Sequence, residues 1–461
     1  MNQNFHPKAG STRVRRLSAH VLLAGLALLC GATASYAAIP IEHWTQPSGA
    51  QVFLVESPAI PMVDVQIDFD AGGRRDPPGK PGLASLMATS TGYGIKASGA
   101  EPALDENALS DAWADLGASF GGSAGADRMS FSMRSLTYPD LLEKAATLAA
   151  RQLAMPAFPD APWLRDRPKL VASHKEADTR PATLAARAFA RAVYGDHPYA
   201  AESNEESLLR ISAADMRVLH AQVLRSCSAK VSIVGALNRV QADVLVGKLL
   251  ALLPSSGCEA LPIVPEVRAL TEPHEVRIAF ASAQAHVLLG QPGYKRNSPD
   301  FFALTVGNQI LGGGGFTARL TEEVREKRGL TYGVYSAFAP GLHAGAFTIG
   351  LQTRPDQAEQ ALGLVREVLA KFVTEGPTER ELQAAKDNLI GGFALRLDSN
   401  RKLLDNVANI AWNGLPLDYL ETWTSHVQKL TVADIRSAFA RTLQPEKMVT
   451  VVLGAEDAKL N

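Results

Sequence analysis

The stretch ISAADMRVLHAQVLRSCSAKVSIVGA, residues 211–236, aligns without a gap on LTVADIRSAFARTLQPEKMVTVVLGA, residues 430–455. Asp215 falls on Asp434, Arg217 on Arg436, Leu224 on Leu443 and Gly235 on Gly454. The offset, 219 residues, is far longer than the roughly 20–50 residues of a solenoid unit and suits two similar domains. In each copy a hydroxyl residue, Ser212 or Thr431, stands three positions ahead of Asp215 or Asp434, the spacing of a helix N-cap and its reciprocal partner. A helical run follows, then a β-branched strand. The two copies predict a tandem α/β pair.

Working outward, Pro254 to Glu275 (PSSGCEALPIVPEVRALTEPHE) carries four prolines and little periodicity, as a linker does. The expected division is an N-terminal domain over 38–254, a linker over 255–275 and a C-terminal domain over 276–461. Val63 to Phe69 and Met129 to Leu136 alternate as strands, and Gly82 to Thr91 reads as a helix. In the second half Ala361, Leu362, Val365, Leu369 and Phe372 share one helical face. Thr378 and Glu381 form a capping-box signature for the next helix.

The chain has 461 residues, 46% hydrophobic and 20% charged, which is enough apolar material for more than one core. Residues 1–37 read as a signal peptide: Lys8, Arg13, Arg15 and Arg16, an apolar run from Val21 to Leu29, then small residues ending in Ser35-Tyr36-Ala37-Ala38. The run is too short to span a bilayer comfortably, so export with cleavage after Ala37, and no membrane span in the mature chain, is the expectation. Removing four basic residues from 46 Lys+Arg leaves 42 against 47 Asp+Glu. With that mildly acidic balance and no basic stripe, nucleic-acid binding lacks an electrostatic footprint. Cys227 and Cys258 remain after cleavage. In an oxidising compartment disulfides persist, and a helix returning antiparallel to the strand Lys230 to Ala236 brings residue 258 near that strand's start. A bridge and two free buried thiols both fit the sequence.

Upstream of the predicted helix at 82–91 runs Phe69-Asp70-Ala71-Gly72-Gly73-Arg74-Arg75-Asp76-Pro77-Pro78-Gly79-Lys80-Pro81-Gly82-Leu83-Ala84. It resembles the approach to the metal helix of the insulinase/pitrilysin-family zinc peptidases, the inverzincins, in their mitochondrial-processing-peptidase-like branch. The resemblance implies an α+β fold of two homologous tandem α/β domains, each a mainly antiparallel sheet packed with helices. It also implies a helix bearing H-x-x-E-H. Here the motif's places are taken by Ser85, Ala88 and Thr89, and the family's third ligand, eight residues before a proline, falls on Ser173. Zinc hydrolysis needs three ligands and a carboxylate. The mature histidines 43, 174, 197, 220, 274, 286, 343 and 426 include no H-x-H or H-x-x-x-H pair. No metal or other cofactor is expected in this chain. His197-Pro198-Tyr199 resembles a family landmark and is read as structural.

The second half holds Gly312-Gly313-Gly314-Gly315-Phe316-Thr317-Ala318-Arg319-Leu320, then Arg325 and Tyr332 seven apart within REKRGLTYGVYS. This resembles the family's C-terminal substrate-binding signature. Gly312 to Gly315 allow close approach of a peptide backbone, or only a tight turn. Arg325 is expected to end a helix that Gly329 breaks, with the next strand returning Tyr332 beside the guanidinium. By the resemblance, Arg325 would hold peptide carbonyls and Tyr332 would donate to the developing oxyanion. The expected protein is a periplasmic, catalytically incomplete subunit that works in trans with a homologous zinc-bearing chain on peptides or unfolded segments. The alternative is a non-enzymatic peptide-binding or scaffold protein.

Overall fold

The computed structural model describes residues 39–454; the predicted signal peptide falls outside them. Thirteen strands occur among the described residues: β1 Glu42–Thr45, β2 Gln51–Glu56, β3 Met62–Phe69, β4 Gly94–Ile95, β5 Leu104–Asp105, β6 Ser119–Ala124, β7 Met129–Leu136, β8 Lys230–Gly235, β9 His274–Ile278, β10 Ala285–Pro292, β11 Val334–Phe338, β12 Ala346–Thr353 and β13 Val449–Leu453. Nine helices carry the argument: α1 Leu83–Ser90, α2 Asp160–Ala177, α3 Pro181–Tyr194, α4 Ala213–Val223, α5 Arg239–Leu250, α6 Ala358–Glu375, α7 Glu379–Gly391, α8 Asn400–Asn413 and α9 Val432–Thr442.

The repeat is one supersecondary unit used twice. Ser212 and Asp215 exchange hydrogen bonds at the start of α4 (Asp215 N to Ser212 Oγ 3.3 Å, Ser212 N to Asp215 Oδ2 2.9 Å). Thr431 and Asp434 do the same at α9 (3.2 and 2.8 Å), so two otherwise orphaned amides are satisfied at each helix start. The following strands, β8 and β13, enter equivalent places in two sheets. The first runs β1-β2-β8-β3-β7-β6 and the second β11-β12-β10-β13-β9. In each, the pair closing on the repeat strand is parallel (β2 with β8, β9 with β13) and the remaining pairs are antiparallel. This is the α+β class with mainly antiparallel sheets. β4 and β5 form a separate ribbon.

β8 and β13 are almost wholly buried because helices cover both faces of each sheet, which is why they read as continuous apolar runs. The covering is exchanged between halves. α3, from the first half, lays Ala185, Phe189 and Val193 on Val449, Val451 and Leu453 of the second sheet. Gly290 permits this: a Cβ there would stand 2.8 Å from the Phe189 ring and 1.9 Å from Phe347 O. Conversely α8, from the second half, lies on β3 and β8 of the first sheet. Its C-terminal carbonyls accept from Lys230 Nζ (Ala411 O 2.9 Å, Trp412 O 3.2 Å) and Arg128 Nη1 (Ala408 O 3.1 Å), cations placed where the helix dipole favours them.

Residues 254–273 contain neither helix nor strand, and β9 begins at His274, two residues inside the expected linker. Each sheet keeps to one side of this segment, while α3 and α8 cross to the other half's sheet. A disulfide joins Cys227 to Cys258 with a Cα separation of 6.1 Å, enclosing β8 and α5. Reduction is expected to lower stability by about 3–4 kcal/mol, the loop-closure value for a crosslink spanning 31 residues. Urea denaturation with and without reductant measures it, and an unchanged midpoint would count against the bridge.

Candidate functional site

The helix at the metal-motif position forms as expected. Gly82 caps α1 with φ +98°, and Asp76 accepts from Gly82 N (2.7 Å) and Ala84 N (2.8 Å). Its side chains do not make a metal site. Thr89 turns its hydroxyl back onto Ser85 O and Leu86 O (3.0 and 3.1 Å). Ala88 is fully buried, and its carbonyl lies 2.5 Å from where a Cβ of Gly122 on β6 would stand. Ser85 lines a hollow of about 270 Å³ with Gly82, Ser203 and Tyr199. Ser203 Oγ in turn meets His174 Nε2 on α2 at 3.2 Å, next to Ser173, which is exposed. The two segments that a zinc site would need are therefore present and near each other, but they carry hydroxyls and an alanine. Zinc is not held by such a donor set. Among the described residues no group of three or more His, Cys, Asp or Glu side chains is placed to hold a metal ion.

In the second half the helix Phe301–Asn308 runs into a π-turn, Gln309–Gly313, and a 3-10 turn, Gly315–Thr317. Gly312 is buried, and a Cβ on it would come within 2.5 Å of Ser336 N on β11. Its lack of a side chain serves the chain's own packing against β11. At Gly314 the Cβ direction is likewise taken by Gln309 O, at 2.4 Å. Gly313 and Gly315 are exposed, and Gly315 adopts φ +61°.

Arg325 lies in the last turn of the π-helical segment Thr321–Glu326. Gly329, at φ +62°, ends it as expected, its amide donating to Arg325 O (2.8 Å). Tyr332 sits in a bend ahead of β11, and among the described residues no hydrogen bond joins it to Arg325. Thr331 explains the bend: its hydroxyl is pinned to Gln352 O (2.6 Å) and bonded to Gly333 (2.8 and 3.1 Å), which throws the next side chain outward. Tyr332 is 88% exposed, at the rim of a cleft of about 540 Å³ lined by Tyr335, His286, Leu288, Ala182 and Ala185. Arg325 Nε is 3.4 Å from Glu326 Oε1, and its Cζ lies 4.7 Å from the Phe316 ring centroid.

The signature's other arginine is structural. Arg319 forks onto Glu381 (2.6 and 2.7 Å) and reaches Gly376 O (3.1 Å), while Glu381 also accepts from Thr378 N (2.7 Å) as the capping-box partner at the start of α7. Burial alone would raise the Glu381 carboxyl, but Arg319 and Thr378 more than offset that and hold it at about 2. A depressed carboxylate stabilises the fold above its unfolded value of 4.5, and that stabilisation is lost as pH falls toward 2. Between about pH 5 and about pH 3 the Tm of the wild type should fall more steeply than that of Glu381→Gln. Parallel slopes would remove Glu381 from the acid response.

A second polar cluster joins residues far apart in the sequence. Arg74, nearly buried, bonds to Asp70 and to Asp127 Oδ1 (3.1 Å). Asp127, in the β6–β7 hairpin, also accepts from Tyr199 OH (2.6 Å) and, across the halves, from Leu342 N (2.9 Å). Tyr199 OH accepts from His343 N (3.2 Å), and His197 takes the Tyr199 amide on Nδ1 (3.1 Å) while Nε2 meets Pro265 O (3.0 Å). Burial, followed by the neighbouring His343, pushes the His197 pKa down, in keeping with a neutral ring donating to the linker. His197-Pro198-Tyr199 is a seam between halves. The only sequence signal for it was its likeness to a family landmark.

A family profile described as the peptidase M16 inactive domain matches residues 210–389. The crystal structure of a peptidase M16 inactive domain from Pseudomonas fluorescens is 35% identical, spans 90% of this chain and 98% of its own, and superposes with a TM-score of 0.83. The non-peptidase homolog YmxG of Helicobacter pylori is 25% identical over 83% of this chain and 87% of its own length. A protein named as an uncharacterized zinc protease of Mycobacterium bovis is 28% identical over 61% of this chain and 65% of its own length.

Proposed function

The chain belongs to the M16 peptidase family, the insulinase/pitrilysin group, and from that premise we propose that it binds peptide substrate and assists its cleavage in trans. A homologous partner bearing H-x-x-E-H would supply the zinc site. Arg325 would hold peptide carbonyls, and Tyr332 would donate its phenolic proton to the oxyanion that forms at the scissile bond. The observation that carries the reading is the presentation of Tyr332, 88% exposed at a cleft rim. An exposed phenol at the mouth of a cleft leaves its hydroxyl within reach of a bound peptide.

The basic, apolar and small-residue runs of residues 1–37 support export to the periplasm. No helix among the described residues is long and apolar enough to cross a membrane. Substrates would be peptides or unfolded segments, bound in extended form along a sheet edge. A second reading, a peptide-binding scaffold without proteolysis, draws support from the name of the Helicobacter relative. The test is reconstitution. The purified chain alone should retain no stoichiometric zinc after dialysis and cleave nothing, and chelator-sensitive cleavage should appear on mixing with the partner. One zinc per chain with cleavage by the chain alone would overturn the proposal, and an inert mixture would favour the scaffold.

A further inference from the structure

We propose that Phe316 is a positioning residue for Arg325: its ring holds the guanidinium flat and turns the outer rim of N–H donors toward a bound peptide. The inference rests on the reading of Arg325 as a peptide-binding group. Three observations carry it. Phe316 is 71% exposed, an unproductive place for a phenylalanine whose purpose is burial. It is set there by the backbone, since the 3-10 turn Gly315–Thr317 begins with Gly315 at φ +61° and brings residue 316 over the turn that carries Arg325. The ring lies 4.7 Å from Arg325 Cζ, while the ion pair with Glu326, at 3.4 Å, is longer than a good hydrogen bond.

The ring is therefore the contact that orients the guanidinium. A guanidinium stacked on an aromatic face keeps its in-plane donors free for bidentate recognition. Arg319 makes the contrast within the same signature: its fork is spent on Glu381, whereas the fork of Arg325 has no hydrogen-bond partner among the described residues. An unstacked Arg325 would explore many rotamers, and fixing one of them on binding would weaken affinity.

The experiment measures binding of fluorescein-labelled β-casein, an unfolded chain, to the full protein by fluorescence anisotropy. It uses wild type, Phe316→Ala, Phe316→Tyr, Arg325→Ala and the Phe316→Ala/Arg325→Ala double variant, with urea midpoints confirming the fold. Phe316→Ala should weaken binding about two- to five-fold, the usual worth of an exposed cation–aromatic contact, and Phe316→Tyr should restore it. On the Arg325→Ala background Phe316→Ala should add nothing, because the ring acts through the guanidinium. Independently, the Arg325 Hε resonance should be shifted upfield by the ring in wild type and Phe316→Tyr, and return in Phe316→Ala. A full additional loss in the double variant, or an unshifted Hε in wild type, would overturn the positioning role while leaving peptide binding intact. Failure of wild type to bind casein would overturn the peptide-binding reading, and this proposal with it.

Discussion

In the reconstituted pair, Tyr332→Phe should lower kcat by about 10²–10³, the usual cost of removing one oxyanion donor, with little change in KM. Deleting one hydroxyl from a side chain that is 88% exposed leaves folding stability within about 0.5 kcal/mol of wild type. The loss is thus assignable to the transition state. Arg325→Ala, if Arg325 also holds the peptide in the ground state, should raise KM along with its effect on kcat. Sedimentation of the mixed chains separates these effects from failed assembly. Both groups are proposed to touch peptide, so complex formation should be unchanged. Wild-type kinetics in both variants would discard the substrate role and favour the scaffold reading.

Asp127→Ala should lower stability by about 3–5 kcal/mol, because it strips a partner from a guanidinium that has almost no access to water. The Arg74 side chain is 3% exposed and would retain only Asp70. Tyr199 OH and Leu342 N lose their acceptor in the same step, and each stranded donor adds a desolvation cost. Asp127→Asn, which keeps one carbonyl acceptor, should cost less. Urea denaturation at pH 7 measures both. A loss below about 1 kcal/mol for Asp127→Ala would mean that water replaces the carboxylate, and that the seam is not a structural clamp.

The duplicated architecture was legible in residues 211–236 and 430–455 because capping boxes and buried strands are local: Ser212 with Asp215 and Thr431 with Asp434 are written within three residues of each other. Strand β7 was read to the residue and β3 to within one, since alternation along a strand needs no knowledge of its neighbours. The absence of H-x-x-E-H was equally plain, since Ser85, Ala88 and Thr89 hold its places and none offers an imidazole or a carboxylate. Arg325 and Tyr332 stand out by their seven-residue spacing, which says nothing of where either side chain points. Where Tyr332 points depends on Thr331 reaching Gln352, twenty-one residues away, and on a π-turn whose register is not encoded in hydrophobic period.

Tertiary structure alone decided that α3 and α8 change places. Their apolar faces specify that each is buried, not which sheet buries it, because the hydrophobic effect is non-directional. What selects the sheet is shape and placement of charge: Gly290 opening a groove for Phe189, and Lys230 with Arg128 waiting for the C-terminus of α8. The same holds for Asp127, whose partners come from residues 74, 199 and 342. Its sequence determines only a carboxylate in a hairpin, and the fold turns that carboxylate into the meeting point of two halves.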